Sequence, residues 1–239
     1  MKSWKKVVPA VVVLGLALTA CGQKNNDNSN SQSSSEQTTA STSSSVQSSS
    51  KSSSTSSMKK TNKLGKEKLP QDNGMEASSS VNTKVDGNKD NYTINYSNNN
   101  AIYATFTKHT YSSSAAAMQQ VGYQSAANVA GLPTTSLGYG VKGVADHGAG
   151  QVYIQANFGN WSLLTHGSNF GKQKGFATKQ AKNVISFIQN HNLPIPNKAG
   201  SIRVEINNTT TITWQEGTVV YSVKANNANI ALKMVTSLK

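Results

Sequence analysis

The chain has 239 residues but one cysteine, one arginine, and a longest apolar stretch, Val7 to Leu18, of only 12 residues. A single cysteine excludes an intramolecular disulfide and a cysteine-built metal cage. A single arginine, Arg203, among 23 basic residues argues against nucleic acid as partner, because base-edge and bidentate phosphate readout rely on the guanidinium fork. Twelve residues fall short of the roughly 20 that a membrane-spanning helix needs. Acidic residues are scarce too: 10 in all and, from Asn91 onward, only Asp146, Glu205 and Glu216. So few carboxylates leave little from which to build an oxygen-ligand metal site, and no metal or other cofactor is expected.

What is present begins with the position of that one cysteine. Cys21 follows Leu18-Thr19-Ala20 and precedes Gly22; Lys2, Lys5 and Lys6 make a positive leader and Val7 to Leu18 an apolar one. This arrangement resembles a bacterial lipobox, in which a cysteine thiol receives a diacylglycerol and the leader is removed in front of it. The resemblance implies a signal peptide over residues 1–20 and Cys21 as the lipidated amino terminus. It also implies a mature chain held on the outer face of the cytoplasmic membrane. One acyl chain anchors marginally, whereas the diacylglycerol with a further palmitate-class chain on the amino terminus would anchor stably.

From Ser29 to Ser57, 17 of 29 residues are serine, and there is almost nothing apolar to offset the cost of ordering the backbone. Residues 21–90 therefore read as a disordered tether, whose serines leave sugar attachment open. Within it, Lys59, Lys60, Lys63, Lys66 and Lys68 surround one Glu67. This cluster is either a solvated linker or a site for anionic lipid headgroups or anionic wall polymer, each lysine contributing ~1 kcal/mol near a charged surface. From Asn91 to Lys239 there are 11 basic and 3 acidic residues, a net of +8.

The last 149 residues, 91–239, suffice for one domain with one core. Tyr92 to Tyr96 alternates as a strand does, and Ile102 to Lys108 continues it. Ser112 or Ser113 caps an Ala-rich helix through Met118 and Val121. Tyr139 to Ala145 and Val152 to Phe158 read as strands around an Asp146-His147-Gly148-Ala149-Gly150 turn, and Gly159-Asn160 turns into Trp161 to His166. A helix is expected from Phe176 to about His191, then strands at Ile202 to Ile206, Thr210 to Trp214 and Val219 to Val223, and a helix from Asn227 to Leu238. Ile202, Val204 and Ile206 alternate with Arg203 and Glu205, which predicts one buried and one wet face. The expected fold is α+β: an antiparallel sheet of hairpins with about three helices packed on it. Two Trp-bearing blocks, one from Trp161 and one from Trp214, also suggest a strand-strand-helix repeat.

With its lipobox, Ser/Asn tether and terminal Trp214-x-x-Gly217-x-x-x-Tyr221-x-Val223 hairpin before a helix ending in Ser237-Leu238, the chain resembles small extracytoplasmic lipoproteins of Gram-positive, lactic-acid-bacterium type. The resemblance covers about the last 150 residues and rests on hydrophobic and turn positions. It implies an envelope location and an α+β domain, and transfers no catalytic residue.

Direct signs of chemistry are thin. His109, His147, His166 and His191 include no pair at helical metal-ligand spacing. Asp146-His147 invites a Ser/His/Asp reading, but no Gly-x-Ser-x-Gly elbow exposes a serine, and turn chemistry accounts for the same residues. Trp161 and Trp214 read either as core anchors or as a carbohydrate platform. The expectation is a non-enzymatic binding or scaffolding module with a basic surface. A carrier of an apolar ligand or lipid is the alternative, and a cell-wall hydrolase the third reading.

Overall fold

The computed structural model describes residues 64–239. Ten strands of these residues form one sheet: β1 (Val81–Gly87), β2 (Tyr92–Asn98), β3 (Ala101–Thr110), β4 (Thr134–Gly138), β5 (Val141–Gly148), β6 (Gln151–Phe158), β7 (Trp161–Ser168), β8 (Gly200–Val204), β9 (Thr210–Glu216) and β10 (Val219–Ala225). Their order across the sheet is β1-β2-β3-β10-β9-β8-β7-β6-β5-β4. Three α-helices accompany them: α1 (Ser114–Gln119), α2 (Phe176–Ile188) and α3 (Ala228–Thr236). The α+β class and the hairpins are as expected, but the sheet is mixed rather than antiparallel. β7 and β8 run parallel, with α2 carrying the chain back between them.

Turn chemistry sets the hairpins. Asn99 and Asn100 both have positive φ and join β2 to β3 in a two-residue loop, a conformation that asparagine tolerates and that matches strand twist. Gly159 and Gly217 take positive φ at the first loop position of β6–β7 and β9–β10. Asp146 and His147 belong to β5 itself, paired with Tyr153 and Val152, so the turn is only Ala149-Gly150.

One face of the sheet carries the core. Tyr92, Ile94, Phe106, Tyr221, Val223, Trp214, Ile212, Ile202 and Leu163 lie on it, buried. The rings of Phe106, Trp214 and Tyr221 stack, with centroids 5.3–6.4 Å apart. α2 covers β7 with Ala177, Ala181, Val184 and Ile185, and the Thr165 hydroxyl donates to the Ala177 carbonyl at 2.8 Å. α3 is capped by Asn227, whose side-chain oxygen accepts from the Ile230 amide at 3.0 Å, and lies on β9 and β10. Each of the hairpins β6–β7 and β9–β10 is thus followed by a helix on this face. Trp161 opens the second strand of its hairpin, while Trp214 sits in the first strand of the other, so the two tryptophans are not equivalent.

The aromatics of β2, β3 and β10 are covered by the chain before residue 91, which corrects the expected boundary. Leu64 is buried in the core, and Leu69, Met75, Val81 and Val85 pack against it. The Leu69 amide donates to the Lys239 carbonyl and the Lys239 amide to the Leu69 carbonyl, at 3.0 and 3.3 Å. The Tyr103 hydroxyl donates to the Asn73 carbonyl at 3.1 Å, and β1 pairs with β2 along its whole length. The ordered unit therefore reaches back at least to Leu64, and 64–90 is domain rather than tether. Residues 21–63 of the expected tether lie outside the described residues.

A register shift after Tyr96 turns Tyr103 and Ala104 together into the interior. Burial, with Asp72 nearby, pushes the Tyr103 hydroxyl up to about 12; burial, then Glu216 and Glu67, does the same to Tyr221.

The opposite face is polar and is crossed by the α1 segment. Gln215 donates to the Ser114 carbonyl at 2.7 Å, Gln155 to the Ser125 carbonyl at 2.9 Å, and the Gln124 amide to the Ser162 hydroxyl at 3.1 Å. Ser201 donates to the Val121 carbonyl. Backbone of the crossing segment thereby pairs the Gln215 and Gln155 amide nitrogens and the Ser162 and Ser201 hydroxyls, while Gln215 Oε1 stays buried without a partner. The crossing segment makes the second face of β8 only partly wet: Ser201 is buried, whereas Arg203 is half-exposed; the strand itself stops at Val204, where the turn to β9 begins.

Candidate functional site

The residues singled out by sequence fare differently. Cys21, Lys59, Lys60 and Lys63 lie outside the described residues. Lys66 is exposed, but Lys68 is committed to an ion pair with Glu216, 2.9 Å away, at the β9–β10 turn. Glu67 between them meets Lys108 at 2.6 Å. Within the described part, the basic cluster is a docked segment whose charges are partly spent on holding it to the domain.

Asp146 and His147 are both exposed neighbours on one strand, so their side chains leave opposite faces of the sheet and cannot act on one substrate atom. Trp161 and Trp214 are core anchors, 6% and 1% exposed. The Trp161 indole donates to the Pro194 carbonyl at 3.3 Å. Neither offers a ring face for a sugar.

A polar cluster that sequence did not isolate lies on the sheet face opposite α2 and α3. His166 Nε2 is 2.7 Å from Gln151 Oε1 and its Nδ1 3.5 Å from Glu205 Oε2, while its ring stacks on Tyr153 with centroids 4.5 Å apart. Arg203 Nε is 3.6 Å from the same carboxylate. His166 and Tyr153 are directly paired cross-strand neighbours, and such pairs stabilise strand register. Among the described residues there is no group of three or more His, Cys, Asp or Glu side chains that could hold a metal ion.

The most distinctive surface is that of α2. Its apolar stripe must face β7, which leaves Lys179 and Lys182 on the outer side; Lys172, in the short 3-10 turn Gly171–Gln173, and Lys174, just after it, lead into the helix. All four are exposed, and none belongs to an ion pair among the described residues. No acidic residue occurs from Gln151 to Val204 to neutralise them. The helix adds to the field: its N-cap Gly175 provides no side-chain cap, and its first turn holds no carboxylate. Phe170, 71% exposed, stands just before this basic stretch. The spacing of these lysines was present in the sequence, but reading the helix by its apolar stripe passed over the charges opposite.

Two grooves adjoin α2. One, of about 700 Å³, lies under the Leu193-Pro194-Ile195-Pro196 loop and is lined by Phe158, Trp161, Ile188 and the loop. The other, of about 500 Å³, lies between α2 and α3. Both are open to the surface rather than enclosed. No helix among the described residues is long and apolar enough to cross a membrane. No family model, curated protein or solved structure matches this chain.

Proposed function

We propose that the protein is a lipid-anchored, non-enzymatic module of the outer face of the cytoplasmic membrane, and that α2 is the surface with which it engages anionic lipid. The observation that carries this reading is the set of four exposed, unpaired lysines on a stretch without acidic residues. Lysines near an anionic surface contribute ~1 kcal/mol each, so four supply a reversible attraction that supplements acyl chains at Cys21. The exposed Phe170 ring favours lipid over a purely polar polymer, because aromatic side chains settle at the headgroup level. The opposed directions of Asp146 and His147 support the non-enzymatic part. A carrier role is the weaker reading, since the grooves found are open and the core between sheet and helices is filled by side chains.

The test is cosedimentation of the chain from residue 21 onward, carrying Cys21→Ser, with vesicles. Binding to phosphatidylglycerol vesicles and not to phosphatidylcholine vesicles is expected. It should be lost between ionic strengths of about 0.01 and 0.15 M as the screening length falls from ~30 to ~8 Å. Lys172, Lys174, Lys179 and Lys182 changed together to Gln should abolish it, and Phe170→Ser should weaken it. A Phe170→Ser variant that binds vesicles as before, alongside tight binding to a soluble glycerol-phosphate polymer, would make wall polymer the partner instead. Salt-independent binding would contradict the reading.

A further inference from the structure

The groove between α2 and α3 has a chemistry unlike the rest of the surface. None of its lining residues carries a charge, although the lysines of α2 stand close by. Its walls are carboxamides: Gln180 and Asn183 from α2, Asn208 from the β8–β9 turn, and Asn229 from the first turn of α3. Its apolar lining is formed by Val184, Phe187 and Leu232. On α2 the contributing positions 180, 183, 184 and 187 fall on one stripe, so the groove runs along the helix.

The four amide side chains make no hydrogen bond to any described residue, whereas the nearby Asn227 is occupied in capping α3. Asn208 is the informative one. It sits at positive φ, 68°, and its Oδ1 is buried with no hydrogen-bond partner. A buried acceptor left unpaired is costly, and a group in the open groove does not reach it; what Asn208 offers a ligand there is its amide nitrogen, which has no hydrogen-bond partner among the described residues.

We infer that this groove is a binding site for a neutral saccharide. A carboxamide presents one acceptor and a paired donor, and a sugar hydroxyl is likewise both donor and acceptor, so the two match without charge. The C–H face of a pyranose would lie against Phe187, the half-buried apolar residue of the lining. A volume of about 500 Å³ is within the range of small-ligand sites. Phosphate- or carboxylate-bearing ligands are better served by the neighbouring lysines, which face outward from the groove. The inference stands apart from the proposed lipid contact: it rests on amides, and the lysine variant leaves those amides in place.

The experiment is a nuclear magnetic resonance titration of the chain from residue 21 onward, carrying Cys21→Ser, with side-chain carboxamides assigned. The probes are a tetramer of N-acetylglucosamine, maltotetraose and a neutral tetrapeptide. At least one oligosaccharide should shift the carboxamide signals of Asn183, Asn208 and Asn229 saturably. Asn183→Ala with Asn229→Ala, both at exposed helix positions that tolerate alanine, should weaken that binding about tenfold or more. Asn208→Gly, which keeps the positive φ, should weaken it as well. The four-lysine variant should bind the sugar as wild type does while losing vesicles. No shift with either oligosaccharide would overturn the inference. So would unchanged affinity in the double variant, or a peptide that moves the same signals at equal or lower concentration.

Discussion

Leu64→Ala separates a folded N-terminal segment from a tether by a wide margin. Leu64 is 3% exposed and belongs to the same buried cluster as Tyr92, Phe106 and Trp214. Truncating a buried leucine typically costs ~2–5 kcal/mol, the spread reflecting how far the site collapses around the gap. Taking the lower part of that range for a residue at the rim of the cluster, a cost of about 2–3 kcal/mol is expected. For a domain of this size a urea m-value near 2 kcal/mol/M turns that into a midpoint lowered by ~1 M. In a thermal scan the same change lowers the midpoint by ~5–10 °C. Urea unfolding followed by tryptophan fluorescence suits the purpose, because Trp161 and Trp214 are buried in the native state. Leu132→Ala, at a surface position 38% exposed, is the control and should stay within about 0.5 kcal/mol of wild type. A Leu64→Ala midpoint indistinguishable from that control would return residues 64–90 to the tether and refute the packing described above.

Other consequences are equally direct. Gly200 lies over Trp161, and a Cβ added there would come within 2.5 Å of the ring, so Gly200→Ala should cost about 1–3 kcal/mol in urea unfolding; a wild-type midpoint would contradict this. Tyr103 and Tyr221 ionise near 12 when folded but near 10 when unfolded. The unfolded chain therefore gives up protons first as pH rises. Stability from these two residues is complete below pH 10 and should be lost progressively toward 12, as alkaline unfolding curves would report. Cys21→Ala should abolish fatty-acid labelling in the producing cell and leave the leader uncut, and normal labelling would remove the anchor.

Sequence legibility followed from where each strand sits. β2, β6 and β10 alternate buried and partly exposed side chains over much of their length, and their loops carry Asn-Asn, Gly-Asn or Gly-Thr, so local pattern and local geometry agree. β1 and β4 went unread because they are the two edges of the sheet. β1 buries no side chain fully and β4 buries only Leu137, and polar edges of this kind discourage pairing with other chains while erasing the signal. The parallel pairing of β7 with β8 is a contact across α2, which no local pattern encodes. Asp146-His147-Gly148 reads as a turn by composition, yet cross-strand pairing to Gln151, Val152 and Tyr153 draws it into β5. For the candidate surfaces, the four lysines of α2 were legible as spacing. The amide groove was not, because Gln180, Asn208 and Asn229 come from three separate elements.

The central claim is that α2 rests on an anionic lipid surface, and amine acetylation footprinting reads that contact residue by residue. The chain from residue 21 onward, carrying Cys21→Ser, is labelled free and bound to phosphatidylglycerol vesicles, and each lysine is quantified by mass spectrometry. Lys172, Lys174, Lys179 and Lys182 should be protected several-fold on the vesicles. Lys84, Lys142 and Lys224, on the opposite sheet face, should react equally in both states. Protection confined to Lys59, Lys60, Lys63 and Lys66, or spread evenly over all lysines, would contradict the account.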